Sequence, residues 1–238
     1  MCDQKIGPYS CCSIVQGDCL DLMADLPTGS VDFVVTDPPY FLPAVHYNTR
    51  TPQVRNLGEL GILEGFYKRF VSEEARILKD GGVVYCFCDG QSYPVFYSCG
   101  YSFFKAQRPL LWDKQTSING YTWRHQHEII LFAEKLNAPK IPTGDGDVFK
   151  MRAVKIGERL HPAEKPVELL SLLIKKHSAP YVLANRGTPI IFDPFAGSGA
   201  TAEAAAKLGC HYLGFELSLD YCEIARKRLR ENTDVKAV

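Results

Sequence analysis

The chain has no run of roughly 18 apolar residues, the length a membrane span requires. It does not open on a basic segment followed by an apolar one, so no secretory leader is expected. Nine cysteines are present, an odd number, and no two are spaced C-x-x-C. That usage excludes a disulfide framework and fits free thiols in a reducing cytoplasm. Cys86-x-Cys88 lies inside an apolar run and reads as buried thiols, so no metal site is expected from spacing. Net charge is also missing, because Lys+Arg and Asp+Glu both number 27. Bulk charge therefore gives no sign of a polyanionic partner, although its distribution does. Residues 105–177 carry 13 basic and 8 acidic side chains, while residues 1–104 carry 7 and 12. A net excess of five positive charges in the middle segment suits a local phosphate-binding face, or equally a solvated basic surface.

No internal repeat or low-complexity stretch interrupts the chain, and 238 residues at 46% hydrophobic and 23% charged can build one large core. One domain over 1–238 is expected. Short apolar runs at 13–15, 31–36, 83–88, 110–112, 128–132, 189–192 and 211–215 read as strands. Helical stripes follow many of them: 20–26, 66–78, 91–99, 169–174, 200–208 and 219–229. Alternation of this kind predicts a mostly parallel α/β sheet with helices on both faces. Two segments read as irregular. Residues 41–62 form a polar loop with Arg50 and Arg55. Residues 134–160 hold Lys150 and Arg152 among Pro and Gly, with little core of their own.

Two stretches carry chemistry. Asp37-Pro38-Pro39-Tyr40 follows the strand at 31–36, and in open α/β sheets ligands collect at the C-terminal ends of strands. The prolines fix φ and restrict the residue before each, so the turn is stiff. They also lack N–H groups, so the turn presents carbonyls and a carboxylate. Such a surface accepts hydrogen bonds, as an exocyclic amine requires. Asp-Pro-Pro is also ordinary turn chemistry, so this stretch decides nothing alone. The second stretch, Asp193-Pro194-Phe195-Ala196-Gly197-Ser198-Gly199, ends a strand and opens an Ala-rich helix. Its glycines allow close backbone approach to a ligand, and the helix start offers free N–H groups. Glu216 ends the following strand, where a carboxylate can hold ribose hydroxyls. Gly197-x-Gly199-x-x-Ala202 also satisfies the dinucleotide fingerprint, so a nucleotide-dependent oxidoreductase is an alternative. That alternative leaves Asp37-Pro-Pro-Tyr without a role.

Taken together, the two stretches resemble the β group of DNA amino-methyltransferases, whose catalytic half precedes the cofactor half in a circularly permuted order. Asp37-Pro38-Pro39-Tyr40 is similar to that group's catalytic motif, in the Asp form typical of adenine-N6 enzymes. Phe195-x-Gly197-x-Gly199 is similar to its cofactor motif. Leu111-Trp112-Asp113-Lys114 and His127-Glu128-Ile129-Ile130-Leu131 resemble its central sheet segments. His161-Pro162-Ala163-Glu164-Lys165-Pro166 resembles the loop around the methionine, and Gly17-Asp18-Cys19-Leu20 the segment beside the adenine. The resemblance covers about 13–230. The segment at 134–160, where the group's target-recognition region is expected, is short.

The resemblance implies methyl transfer from S-adenosyl-L-methionine to the N6 amine of an adenine flipped from duplex DNA, with cytosine N4 as the nearest alternative. It assigns catalysis to Asp37, Pro38, Pro39 and Tyr40. Cofactor contacts fall to Asp18, Cys19, Lys165, Asp193, Pro194, Phe195, Gly197, Gly199, Thr201 and Glu216. Aromatics interleaved with cations suit stacking and phosphate pairing, which makes Lys114, Tyr121, Trp123 and Arg124 candidates for DNA contact beside Arg50, Arg55, Lys150 and Arg152. Double-stranded DNA is the expected partner and no membrane is. Dimerisation and a companion restriction endonuclease are open expectations of the group.

Overall fold

The structure, a computed structural model, describes residues 4–39, 57–118, 122–141, 144–183 and 186–234. Val31–Thr36 (β4) is buried along its whole length. A strand covered on both faces needs an apolar run rather than alternation, and Val31, Phe33, Val34 and Val35 supply it. Around it lies an eight-stranded sheet in the order β3-β10-β9-β4-β5-β7-β6-β8. The other members are β3 (Ser13–Gln16), β5 (Leu78–Cys88), β6 (Ala106–Ile118), β7 (His125–Glu134), β8 (Val148–Lys150), β9 (Ile190–Asp193) and β10 (His211–Glu216). The five strands from β3 to β5 run parallel. β7 is antiparallel to both β5 and β6, and β8 returns parallel to β6. A two-stranded hairpin, β1 (Lys5–Ile6) and β2 (Tyr9–Ser10), precedes the sheet.

Alternate residues on the strands feed two cores. Val34, Val84, Cys86, Leu131, Phe192 and Phe215 pack with Met23 of α1 (Cys19–Ala24), Tyr67 and Phe70 of α2 (Leu57–Ile77) and Phe96 of α3 (Ser92–Gly100). Phe33, Val35, Tyr85, Phe87 and Ile130 pack on the opposite face with Leu169, Leu170 and Leu173 of α4 (Val167–Leu183) and Ala204 of α5 (Ala200–Lys207). Helix α6 (Leu219–Asp234) closes on Ile14 and Ala202 through Cys222 and Ala225. Helices thus cover both faces, as the alternating pattern predicts.

Register fixes where the site forms. Phe33 and Val34 lie opposite Ile191 and Phe192. Gly214 lies opposite Asp193, and Glu216 opposite Gln16. The C-terminal ends of β3, β10, β9 and β4 therefore share one rim, with Asp18, Glu216, Asp193 and Asp37 spaced along it. Cys88 at the end of β5 pairs with Ile129 near the beginning of β7. The antiparallel strand accordingly brings its N-terminal half, including Glu128, to the same rim.

Two sequence expectations change. The segment at 41–62 is not loop throughout, because α2 begins at Leu57; residues 40–56 lie outside the described residues. The segment at 134–160 carries a strand, β8, which pairs with Leu111, Trp112 and Asp113 of β6. Ala138, Phe149, Met151 and Ala153 pack against the core, and the Trp112 Nε1–H donates to the Met151 carbonyl at 2.8 Å. Three residues with one half-buried side chain give no periodic signal, so β8 was hidden among the basic residues.

Glu74 is buried to 2% exposure on α2. Burial first, then the charge of Asp193, pushes its carboxyl well above the ordinary range. A raised acid favours folding below the ordinary carboxyl range and loses that contribution as pH rises towards its folded value. In that window stability falls by about 1.4 kcal/mol per pH unit for one such group. Glu74→Met removes the group at similar volume. Its Tm advantage over the wild type is expected to grow between pH 5 and pH 8, measured by thermal melts across that range. A constant difference would contradict the buried neutral acid.

Candidate active site

The glycine turn after β9 is built around Asp193. Its Oδ1 accepts from the Thr36 hydroxyl at 2.8 Å and from the Phe195 N–H at 3.0 Å, and the Thr201 hydroxyl also bonds the carboxylate. Burial pushes the Asp193 acid up to about 6 against these hydrogen bonds. Thr36 is the last residue of β4, so Asp193 clamps the turn after β9 to the turn after β4. Phe195 packs edge-on against Phe66 and Phe70 of α2. Gly197 and Gly199 take φ of 50° and 83°, the left-handed region that side chains disfavour. A Cβ on Gly199 would lie 2.9 Å from Ala225 Cβ. Gly199 therefore serves helix packing, whereas a Cβ on Gly197 would lie 3.6 Å from the His161 ring, an ordinary contact.

Glu216 holds this turn from the neighbouring strand. Its Oε2 accepts from the Gly197 N–H and its Oε1 from the Ser218 N–H, both at 2.8 Å. A carboxylate offers about four acceptor positions, so these two bonds orient Glu216 without exhausting it. Asp18 is exposed and caps α1, accepting from the Leu20 N–H at 2.8 Å. The Cys19 side chain is buried beneath α1, and burial with the nearby Asp18 charge pushes its thiol up to about 12.

The turn after β4 is held from two sides. The Tyr67 hydroxyl donates to the Pro39 carbonyl at 2.7 Å. Lys165 Nζ donates to Asp37 Oδ2 at 2.6 Å. The same ammonium lies 3.2 Å from Glu128 Oε2, a contact of charge rather than a directed hydrogen bond, and 5.1 Å from the Phe87 ring centre. Lys114 donates to Glu128 Oε1 at 3.0 Å. Two cations and two carboxylates thus alternate along the rim. Burial pushes the Glu128 acid up, but Lys165 and Lys114 outweigh it and hold the acid below its ordinary value. Lys165 keeps only 7% of its side chain exposed and Asp37 keeps 19%.

Lys165 reaches Asp37 because the loop before α4 is pinned. Glu164 Oε2 accepts from the Leu160 N–H at 2.6 Å, and its Oε1 accepts from Arg228 at 2.8 Å. Arg228 also bonds Glu203 of α5. His161 sits against the Tyr221 ring at 4.4 Å, and burial holds its imidazole below the ordinary histidine value. The loop is therefore folded over the glycine turn.

The structure brings Asp37, Lys165, Asp193, Thr201 and Glu216 to one rim. Tyr40, Arg50, Arg55 and Tyr121 lie outside the described residues. Trp123, at 87% exposure, and Arg124 stand near the tip of the β6–β7 pair, and Lys150 and Arg152 are exposed on and after β8. Lys114 departs from the DNA-contact set: it is buried, with its ammonium turned inward to Glu128. Glu128, Glu164 and Tyr67 carry no expected role in the sequence, and Thr36 is expected only as the residue that ends the strand before Asp37. Glu128 lay within a recognised segment, but only the antiparallel pairing of β7 places it beside Asp37's partner.

A family model described as DNA methylase, of the N6/N4 methyltransferase type, matches residues 31–227. The chain belongs to this family of DNA methylases. It is 28% identical over 255 residues to the type II methyltransferase M2.MboI of Moraxella bovis, covering 94% of this chain and 89% of that one. Among solved structures it is similar to TTHA0409, a putative DNA modification methylase of Thermus thermophilus complexed with S-adenosyl-L-methionine. That match has a TM-score of 0.68 at 22% identity, over 92% of this chain and 95% of that one. It is also similar to the cytosine-N4-specific PvuII DNA methyltransferase, with a TM-score of 0.73 at 17% identity over 94% and 90% of the chains. These structural likenesses extend the fold assignment to nearly the whole length of this DNA methylase. The family description gives no support to a dinucleotide role for the glycine turn.

Proposed function

We propose that this DNA methylase transfers a methyl group from S-adenosyl-L-methionine to the N6 amine of adenine in duplex DNA. The observation that carries the reading is the clamp between the two turns. Asp193 ties the Asp37 turn to the Gly197 turn through Thr36, so an amine acceptor and a cofactor cradle share one rim. The residues fit the cofactor. Gly197 and Gly199 carry no side chains that would bar the approach of a ligand to the turn, Glu216 retains acceptor capacity for ribose hydroxyls, and exposed Asp18 can accept from an adenine amine. Lys165, expected from sequence to meet an anionic group and placed among the cofactor contacts, donates to the Asp37 carboxylate.

The bound cofactor supplies a methyl group on a positively charged sulfur. The chain's own residues prepare the acceptor. The target atom is hard to reach inside a duplex, so the base is flipped out. Asp37 and the Pro38 carbonyl accept the two amine hydrogens, which draws the conjugated nitrogen towards tetrahedral geometry and frees its lone pair. Tyr40 stacks on the flipped ring. The amine nitrogen would take the methyl group from the cofactor, whose sulfur is left as a neutral thioether, and Asp37 or solvent would take the surplus amine proton. Positioning and preorganised charge account for the rate. Lys165 and Lys114 hold Asp37 and Glu128 in place during this. Trp123, Arg124, Lys150 and Arg152 face DNA. A companion restriction endonuclease and a dimer remain part of this proposal.

Cytosine N4 is the second reading, favoured by the likeness to the PvuII enzyme and by an acceptor geometry that serves either amine. To separate them, the protein is incubated with mixed-sequence duplex DNA and methyl-labelled S-adenosylmethionine, and the DNA is digested to nucleosides for mass analysis. Label in N6-methyladenine is expected. Label in N4-methylcytosine would keep the mechanism and overturn the base.

A further inference from the structure

A second group of reactive side chains lies away from the rim. Cys11 and Cys12 form the turn between β2 and β3, and His211 opens β10. The parallel pairing of Ser13 with Leu213, two residues further on, brings Cys11 level with His211. Cys12 follows this course in its backbone, its N–H donating to the Tyr212 carbonyl at 2.7 Å. Neighbouring residues in extended chain point to opposite faces. Here they converge because Cys12 takes φ of 58°, a left-handed conformation that a non-glycine residue adopts only under constraint. The result is a triangle of ligand atoms. Cys11 Sγ lies 3.4 Å from Cys12 Sγ and 3.2 Å from His211 Nδ1, and Cys12 Sγ lies 3.7 Å from the same nitrogen.

Those spacings have a chemical meaning. Zinc bonds thiolate sulfur at about 2.3 Å and imidazole nitrogen at about 2.0–2.1 Å in tetrahedral sites, which sets sulfur–sulfur edges near 3.8 Å and sulfur–nitrogen edges near 3.6 Å. The triangle matches one face of such a tetrahedron to within about 0.4 Å. Among the described residues this is the one cluster of three Cys, His, Asp or Glu side chains that converge in this way. Cys11 is buried, while Cys12 and His211 are half-buried, which leaves an entry path and a fourth position for water.

We propose that Cys11, Cys12 and His211 form a two-thiolate, one-imidazole site for a thiophilic divalent cation of the zinc type. Two thiolates neutralise the ion, so the site can stay partly buried. It stands at the start of β10, with Glu216 at the opposite end of the same strand, so the ion is no part of methyl transfer. It fastens the hairpin of β1 and β2 to β3 and β10. The same hairpin bears on α1, where the Tyr9 hydroxyl donates to the Leu22 carbonyl at 3.0 Å. The ligands are about 200 positions apart in sequence, so spacing gives no sign of the site.

The test uses the full chain, reduced and freed of metal by a chelator, then titrated with Co²⁺ as a spectroscopic substitute for zinc. One equivalent is expected to bind, with a thiolate-to-cobalt charge-transfer band and the visible bands of tetrahedral cobalt. Cys12→Ser and His211→Gln should each weaken binding at least about tenfold, the scale seen when metal-site partners are lost. Cys99→Ser, on α3, should change nothing. Persistence of the bands in both variants, or no cobalt uptake by the reduced wild type, would overturn the site. A second readout needs no variant: alkylation of the wild type with and without Zn²⁺, mapped by mass spectrometry. Protection confined to Cys11 and Cys12 supports the proposal, and protection elsewhere or nowhere refutes it.

Discussion

Replacing Asp37 with alanine is expected to slow methyl transfer by about 10²–10⁴-fold, the range over which a positioned proton acceptor contributes. In the proposed mechanism this carboxylate is the acceptor for one amine hydrogen, and alanine offers none. The substitution also leaves Lys165 without the carboxylate now 2.6 Å from its Nζ. Glu128 remains beside that ammonium, so the cation keeps a counter-charge and the fold should survive. Single-turnover transfer of labelled methyl to DNA measures the effect. A rate within about tenfold of the wild type would remove Asp37 from the chemistry.

The second large effect is one of stability. Lys165→Met deletes the cation shared by Asp37 and Glu128. Breaking a buried pair by removing one partner costs about 3–5 kcal/mol, because the remaining charge loses its compensation. At this chain length that corresponds to roughly 6–20 °C in Tm. Glu128 retains Lys114 at 3.0 Å, so the cost falls chiefly on Asp37. Lys165→Met with Asp37→Asn should therefore recover much of the lost stability while staying inactive. A surface lysine would behave otherwise: exposed pairs are worth about 0–1 kcal/mol. A Tm loss of only one or two degrees would show that the cluster is not the buried network described.

The parts of this molecule legible in sequence are those written as local pattern. Val31 to Val35 announced a doubly covered strand, and Gly197 with Gly199 announced a turn entering a helix. Both lie where the pattern put them. What was hidden depends on pairs distant in the chain. Lys165 is expected among the cofactor contacts, yet the carboxylate it bonds, Asp37, is 128 positions away. Glu128 sits in an apolar segment whose antiparallel direction, not its composition, brings it to the rim. Thr36 ends a hydrophobic strand and shows its role only through Asp193. β8 gives no local signal, because the segment is anchored just after it by the Met151 carbonyl, which accepts from the Trp112 indole N–H 39 positions earlier. Long-range polar contacts carry no period, so neither helical nor strand spacing reports them.

The proposed reaction divides labour between two clamped turns: Asp37 handles the amine, and the Gly197 turn with Glu216 holds the cofactor. Its most direct test is calorimetric titration of S-adenosylmethionine onto the wild type, Asp37→Ala and Glu216→Ala. Asp37→Ala should bind within about threefold of the wild type. Glu216→Ala should bind at least about tenfold more weakly, equivalent to about 1.4 kcal/mol. Loss of binding in Asp37→Ala, with full binding in Glu216→Ala, would contradict the account.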